Sequence, residues 1–174
     1  MPVVLVPLTP EEQRAFISAL AADEVDSLVG RSEMADPVAA LARAHAQIEA
    51  EVEAAVQASE QFWAVHNPEG ATVGWLWIKS PLHGLPPAAA FLEQILVKPE
   101  VRRQGYATAM LAALEDVLAA SGWSELRLNV YDTNEAGRRL YERAGYEEVE
   151  RFEVKRQLHK RLTPAEPIQA ITPY

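Results

Sequence analysis

Apolar residues follow two different periods along this chain, and the period changes several times. Alternation of apolar and polar residues predicts half-buried strands, whereas apolar residues three or four positions apart predict amphipathic helices. The predicted strands are 3–8, 61–66, 72–79, 88–97, 123–131 and 147–158, and the predicted helices begin near residues 9, 37, 105 and 134. This order predicts a mixed α/β fold in one domain, residues 1–160, followed by an irregular tail, residues 161–174.

Two segments carry the start signals of helices. Residues 9–12 (TPEE) supply an N-cap threonine, a proline in the first turn and the glutamate of a capping box. Asp36 and Pro37 open a second, longer helix that ends near residue 58. Its expected buried stripe is Val38, Leu41, Ile48, Val52 and Ala55. His45 lies on the same stripe and is interpreted as a core or interface histidine, because no second metal ligand lies one turn away.

Composition narrows the function classes. Hydrophobic residues make up 49% of the 174 residues and charged residues 24%, as in an ordinary globular protein. With 16 basic and 25 acidic residues the net charge is −9, which argues against general nucleic-acid binding. The negative charge is compatible with a cationic substrate. It is also compatible with an acidic surface whose only role is to keep the protein in solution.

The residue types that are missing also restrict the function. The sequence contains no cysteine, which excludes disulfides, thiolate metal sites and a cysteine nucleophile. No histidine and carboxylate cluster has ligand spacing, so no metal is expected. Neither a signal peptide nor an apolar run of membrane-spanning length is recognisable. A cytoplasmic location without membrane attachment is therefore expected.

The most informative stretch is residues 96–111, LVKPEVRRQGYATAML. An apolar strand ends at Pro99, a short basic loop follows, and Gly105 and Ala107 open an amphipathic helix. Small residues at a helix N-terminus direct unpaired N–H groups and the positive end of the helix dipole at one point, which suits a phosphate or diphosphate. The spacing Arg102-x-x-Gly105-x-Ala107 differs from both the dinucleotide fingerprint and the P-loop.

A second motif, NEAGRRLYERAGY at residues 134–146, follows after a helix and a strand. The loop resembles the pyrophosphate loop R/Q-x-x-G-x-G/A of the GNAT-type N-acetyltransferases, and the second motif resembles their N-x-x-A-x-x-L-Y-x-x-x-G-F segment. The resemblance extends from about residue 3 to residue 158. It implies the GNAT fold, with a mixed central sheet, helices on both faces, and acetyl-CoA bound where strands 4 and 5 splay apart.

The resemblance also implies which residues hold the coenzyme. Backbone N–H groups of residues 103–108 would surround the diphosphate, with positive charge from Arg102 and Arg103. The backbone edge 95–97 would pair with the pantetheine amides. Asn134 would cap its helix and contact either the pantetheine or an adjoining backbone group; the alternative is the cap alone. The implied coenzyme-binding residues are Ile95, Leu96, Val97, Arg102, Arg103, Gln104, Gly105, Tyr106, Ala107, Thr108 and Asn134.

Two side chains carry the chemistry that the resemblance implies, Glu93 and Tyr141. Glu93 lies inside the apolar strand FLEQILV, where alternation places it on the face of Ile95 and Val97. Burial there would raise the pKa of its carboxyl and make it a general base for a protonated amine; the alternative is a structural salt bridge with an arginine. Tyr141 would stabilise the departing thiolate of coenzyme A by a hydrogen bond; the alternative is a packed core aromatic.

Three further residues are candidates for the acceptor side of the site. Trp75 and Trp77 share one face of the third strand, and they are expected either to line an acceptor pocket or to pack in the core. His83 lies in the proline-rich segment 80–87 and is either a helper in deprotonating the acceptor or a solvated loop residue.

The sequence therefore predicts an enzyme that transfers acetyl from acetyl-CoA to a primary amine of a small molecule or peptide. Direct attack in a ternary complex is expected, since no cysteine is present to carry a covalent intermediate. One alternative is a non-catalytic acyl-CoA sensor of the same fold, and another is an interaction protein that uses residues 37–58. A homodimer formed through that helix or through the C-terminal segment is compatible with the enzyme.

Overall fold

The computed structural model describes residues 2–29, 36–79 and 88–163. Its strands are β1 (Val4–Pro7), β2 (Gln61–His66), β3 (Thr72–Lys79), β4 (Ala89–Val97), β5 (Glu125–Tyr131), β6 (Glu147–Arg151) and β7 (Lys155–Arg161). Its helices are α1 (Pro10–Val29), α2 (Pro37–Gln57), α3 (Tyr106–Ala120) and α4 (Glu135–Arg143). The order agrees with the prediction as far as α4. The single strand predicted at 147–158 is wrong, because a turn divides that segment into the antiparallel pair β6 and β7.

The start of α1 is held by the predicted capping box. The Thr9 hydroxyl accepts a hydrogen bond from the Glu12 N–H at 3.2 Å, and the Glu12 carboxylate accepts one from the Thr9 N–H at 3.0 Å. The same carboxylate contacts His66 Nε2 on β2 at 2.9 Å, which ties the helix start to the sheet. Burial opposes the charge on Glu12, but the hydrogen bonds with Thr9 and His66 outweigh it and hold the pKa of this carboxyl below its ordinary value.

The described strands form one sheet in the order β1-β2-β3-β4-β5-β7-β6. Neighbours are antiparallel except β4 and β5, which run parallel. The ladder between these two ends where Leu92 faces Leu128, so the rest of β4 and β5 separate. The predicted splay is therefore present. At one edge of the sheet, all five residues of β6 are exposed.

Helices cover both faces of the sheet, as predicted. On one face, α3 and α4 pack over a core that includes the fully buried Met110, Leu114 and Leu126. On the other face, α1 and α2 pack over a second core that contains Trp75 and Trp77. Both tryptophans are buried, so the interpretation of this pair as core residues is confirmed.

The predicted stripe of α2 is correct only in its second half. The buried residues of this helix are Ala40, Ala44, Ile48, Val52 and Ala55. Val38 and Leu41 are instead 80% and 42% exposed. His45 lies 3.4 Å from Ser18 Oγ and keeps 43% of its side chain exposed, so it is not a core histidine. Small alanines occupy the buried positions of the first half, and a pattern of large apolar residues does not detect them.

Some predictions concern residues that the structure does not describe. His83 and residues 164–174 lie outside the described ranges, so the roles expected for that loop and for the tail stay predictions, as does the domain boundary at residue 160. Strand β7 runs to Arg161, and the Leu162 N–H donates to the Ser124 carbonyl at 2.9 Å. Among the described helices, none combines the length and the apolar character that a membrane crossing requires.

Gly74 of β3 lies where the neighbouring strand leaves no room for a side chain. A β-carbon there would lie 2.3 Å from the Leu96 carbonyl oxygen and 2.9 Å from Met110 Cε. We expect Gly74→Ala to lower the free energy of unfolding by about 2–3 kcal/mol, because backbone atoms would have to move. Urea denaturation followed by circular dichroism measures this loss. Thr72→Ala on the same strand should cost about 1 kcal/mol or less, and an equal loss in both variants would contradict the close approach.

Candidate functional site

A cavity of about 660 Å³ opens between the splayed end of β4 and the helices α3 and α4. The end of β4 forms one wall, the loop after it and the first turn of α3 form the second, and α4 forms the third. Every residue that the resemblance implies for the coenzyme lines this cavity except Gln104. Tyr141 lines it as well, whereas Glu93 does not.

The loop between β4 and α3 has the backbone of an anion site. Arg103 and Gly105 both adopt the left-handed conformation, with φ of 65° and 90°. Gly105 caps α3 without offering a side-chain acceptor to the first N–H groups of the helix. Within the described residues, no well-formed hydrogen bond engages the backbone N–H groups of residues 103–108. These six donors are the ones that the sequence predicts around a diphosphate.

The charge of the cavity is opposite to that of the whole chain. Its arginines are Arg102, Arg103, Arg139 and Arg143, whereas Asp23 is the only carboxylate among the described lining residues. The chain as a whole carries a net charge of −9. At position 103 the left-handed φ favours glycine; an arginine there costs about 1–2 kcal/mol of backbone energy but adds a positive charge. Such a cavity attracts anions.

Arg102 makes two contacts within the cavity. Its Nε donates a hydrogen bond to the Val97 carbonyl at 3.1 Å, and its Nη2 donates one to Asp23 Oδ1 on α1 at 2.6 Å. The Val97 carbonyl belongs to the strand edge that the resemblance assigns to the pantetheine. One acceptor of that edge is therefore shared with an arginine of the loop.

Asn134 caps α4, and this part of its prediction is confirmed. Its side-chain oxygen accepts a hydrogen bond from the Gly137 N–H at 2.8 Å. A β-carbon at position 137 would lie 2.8 Å from the Asn134 amide nitrogen. A methyl group at position 137 would therefore have to displace the capping side chain. A contact between Asn134 and the coenzyme stays a prediction.

Tyr141 is buried at the wall of the cavity. Its ring packs edge-on against Tyr146, with ring centroids 5.7 Å apart. The Tyr146 hydroxyl donates to Glu115 at 3.0 Å and so fixes the ring against which Tyr141 rests. Burial raises the pKa of Tyr141 to about 12, with no charged neighbour contributing. At neutral pH this phenol is therefore a hydrogen-bond donor.

The environment of the Glu93 side chain differs from the one that the sequence predicts. The register of β3 and β4 shifts at Ile78, which leaves Glu93 as the extra residue of a β-bulge. Its side chain is 34% exposed and contacts Lys79 Nζ at 3.2 Å. The expectation of a buried carboxylate on the face of Ile95 and Val97 is wrong, because the extra residue interrupts the alternation. The salt bridge considered as the alternative exists, with a lysine in place of an arginine.

Several lining residues were not predicted from the sequence. They are Asp23, Val101, Ala136, Gly137, Arg139, Leu140 and Arg143. Those of α4 recur every three or four residues, so helical periodicity counted from the second motif could have identified them. No local pattern marks Asp23, which lies 79 residues before its partner Arg102.

Replacing Asn134 separates its cap role from a role in coenzyme binding. Asn134→Ala removes the acceptor of the Gly137 N–H and should lower the free energy of unfolding by about 1 kcal/mol, whereas Asn134→Ser keeps a capping oxygen and should stay within about 0.5 kcal/mol of the wild type. Urea denaturation measures both. If Asn134 contacts the coenzyme, both variants bind coenzyme A more weakly in calorimetry. Equal losses of stability would contradict the cap.

Tyr141 should make the stability depend on alkaline pH. Its folded-state pKa of about 12 exceeds the ordinary value near 10, so the folded protein holds this proton more tightly than the unfolded chain does. This stabilisation is complete below about pH 10 and is lost as the pH rises towards 12.

Between about pH 8 and pH 11, the wild type should therefore lose about 1 kcal/mol more stability than Tyr141→Phe in urea denaturation. Tyr131→Phe, at an exposed tyrosine, is the control and should follow the wild type. The same pH dependence in Tyr141→Phe and the wild type would contradict the buried phenol.

Comparison with known proteins agrees with this fold. The model of the acetyltransferase (GNAT) family matches residues 27–146. The uncharacterised N-acetyltransferase YycN of Bacillus subtilis is 27% identical over 151 residues, which cover 86% of this chain and 96% of that protein. The crystal structure of YycN superposes with a TM-score of 0.70 at 26% identity, covering 86% and 95% of the two chains.

Two more distant structures share the fold. The PaiA N-acetyltransferase of Thermoplasma acidophilum, solved with coenzyme A, has a TM-score of 0.71 at 16% identity and covers 92% of this chain and 99% of its own. The spermidine N-acetyltransferase of Vibrio cholerae, solved with coenzyme A and spermine, has a TM-score of 0.68 at 16% identity and covers 93% and 96%. The family match extends over most of the chain, across both motifs and the cavity that they line. The chain therefore belongs to the GNAT family of acetyltransferases.

Proposed function

We propose that this acetyltransferase transfers the acetyl group of acetyl-CoA to a primary amine of a small molecule or peptide by direct attack in a ternary complex. The observation that carries the proposal is the loop at residues 103–108, whose N–H groups form no hydrogen bond among the described residues and which, apart from Gln104, lines a cavity with four arginines. A diphosphate is the anion that such a loop suits. Acetyl-CoA supplies an activated acetyl thioester. The protein therefore has to bind and orient the two substrates and to move protons between them.

The rest of the cavity fits the remainder of the coenzyme. Gly105 has no side chain and Ala107 has only a methyl group, so phosphate oxygens can approach the N–H groups. Beyond Leu92, β4 has no ladder with β5, so the edge of residues 95–97 on that side is available to the pantetheine amides. The Val97 carbonyl on this edge has two lone pairs, of which Arg102 uses one.

Glu93 is proposed as the group that receives the acceptor's proton. A primary amine with a pKa near 10.4 is mostly protonated at pH 7, and removing that proton costs about 4–5 kcal/mol. The bulge turns the Glu93 carboxylate out of the regular strand, and its 3.2 Å contact with Lys79 Nζ resembles the contact that an acceptor ammonium would make. Because Glu93 does not line the coenzyme cavity, we propose that the proton passes through water between amine and carboxylate.

Tyr141 is proposed to stabilise the departing thiolate as a hydrogen-bond donor. Full proton transfer from a phenol with a pKa of about 12 to a thiolate whose acid has a pKa near 8.5 is uphill by about 5 kcal/mol. Donation of a hydrogen bond needs no such transfer and stabilises negative charge as it develops on sulfur. The proton then reaches the thiolate from solvent or from the amine.

For location and assembly we propose the cytoplasm and a homodimer. The exposed Val38 and Leu41 of α2 are apolar surface that a second copy of the chain would cover.

The proposal is tested by coenzyme A binding and by turnover of acetyl-CoA with a panel of amines, read as free thiol. Glu93→Gln and Tyr141→Phe should each slow turnover by about 10²-fold, because the first removes the acceptor of the amine's proton and the second removes the hydrogen-bond donor to the thiolate. Their affinity for coenzyme A should stay near that of the wild type. Matched controls are Glu100→Gln, at an exposed glutamate, and Tyr131→Phe, and both should turn over normally.

The possible outcomes separate the candidate functions. Wild-type rates in Glu93→Gln or Tyr141→Phe would remove that residue from the mechanism. Tight coenzyme A binding without turnover of any amine would favour the non-catalytic acyl-CoA sensor. No binding of coenzyme A would contradict the proposal as a whole.

A further inference from the structure

Asp23 on α1 is an acidic residue in a cavity that otherwise attracts anions. It is the only carboxylate among the described residues that line the cavity, and it pairs with Arg102 Nη2 at 2.6 Å. The two side chains are 40% and 44% exposed. Ion pairs with this exposure contribute little to folding stability, so a structural role does not account for an acid at this position.

Arg102 is held from three directions. Its backbone N–H donates to the Pro99 carbonyl at 3.3 Å, its Nε donates to the Val97 carbonyl, and its Nη2 donates to Asp23. The guanidinium is thereby directed along the end of β4 towards α1. A diphosphate on the loop at residues 103–108 would interact with the Arg102 guanidinium, whose charge Asp23 already neutralises. The Asp23 carboxylate would also repel the diphosphate.

We propose that Asp23 lowers the affinity of the protein for coenzyme A by competing with the diphosphate for Arg102. This inference rests on the proposed function, because it takes the diphosphate to bind at the loop. Acetyl-CoA and the product coenzyme A carry the same diphosphate, so Asp23 weakens the binding of both and favours release of the product. The carboxylate opposes the anion through the same Coulomb interaction by which the arginines attract it.

The test is Asp23→Asn, which removes the charge with little change of shape. Calorimetric titration with coenzyme A should give a dissociation constant about fivefold lower than that of the wild type, the size expected for one exposed ion pair. Asp116→Asn is the matched control, because Asp116 is exposed in the second half of α3 and its replacement changes the net charge equally. Its affinity should stay within about 1.5-fold of the wild type.

Fragments of the coenzyme separate an effect on the diphosphate from an effect on the fold. ADP, which carries a diphosphate, should also bind Asp23→Asn more tightly, whereas pantetheine, which carries none, should bind both proteins equally. Higher salt should narrow the difference for coenzyme A, because exposed charges are screened. An equal gain for pantetheine would overturn the proposal.

A double-mutant cycle tests whether Asp23 acts through Arg102. In an Arg102→Gln background, Asp23→Asn should change the affinity for coenzyme A by less than about twofold. An undiminished gain in that background, or weaker binding by Asp23→Asn alone, would overturn the proposal. A wild-type protein that does not bind coenzyme A would instead contradict the proposed function, so the two failures are distinguishable.

Discussion

The backbone N–H groups at the start of α3 need acceptors that the local sequence does not supply. Most helices satisfy these groups with a serine, threonine, aspartate or asparagine at the cap, but here the cap is Gly105. Unpaired polar groups are costly wherever water is excluded. A ligand with several anionic oxygens satisfies them together, and the other features of the site follow from this requirement. The end of β4 positions the loop, and the core beneath α3 fixes the direction of that helix. The helix α4 forms the remaining wall of the cavity.

Charge is distributed unevenly in this protein, because the arginines of the cavity are concentrated in two short segments. Acidic residues dominate the chain, but the cavity draws its arginines from two separate segments, the loop after β4 and the helix α4. Association with an anion is therefore governed by the cavity and not by the net charge. The same separation of charge leaves the acidic remainder of the surface available to cationic molecules.

Features that depend on neighbours in sequence could be predicted well. The capping box at Thr9, the strands β2 and β3, and the strand–loop–helix order around Gly105 all follow from local residue preferences. The turn between β6 and β7 was missed because residues 152–154 (FEV) contain neither glycine nor proline. The buried alanines of α2 were missed because a residue of that size carries little hydrophobic signal.

Features that depend on a distant partner could not be predicted. The bulge at Glu93 is defined by how β4 pairs with β3, and the local sequence FLEQILV contains no signal for it. The same holds for the pair of Asp23 and Arg102, which the fold brings together from α1 and the loop. Both features bear on the chemistry of the site, one on the candidate base and the other on coenzyme affinity. A motif can therefore locate such a site without giving the environment of its side chains.

The two edges of the sheet limit how copies of this chain can associate. At one edge, β1 has four residues and ends at Pro7; at the other, β6 presents Glu147, Glu148, Glu150 and Arg151 to solvent. A short strand with proline and a strand rich in charge are both poor templates for main-chain pairing with a further strand. Growth of the sheet from one molecule into the next is thus disfavoured, which protects the protein against fibrillar aggregation. Association between copies would then use side-chain packing on surfaces other than these two edges.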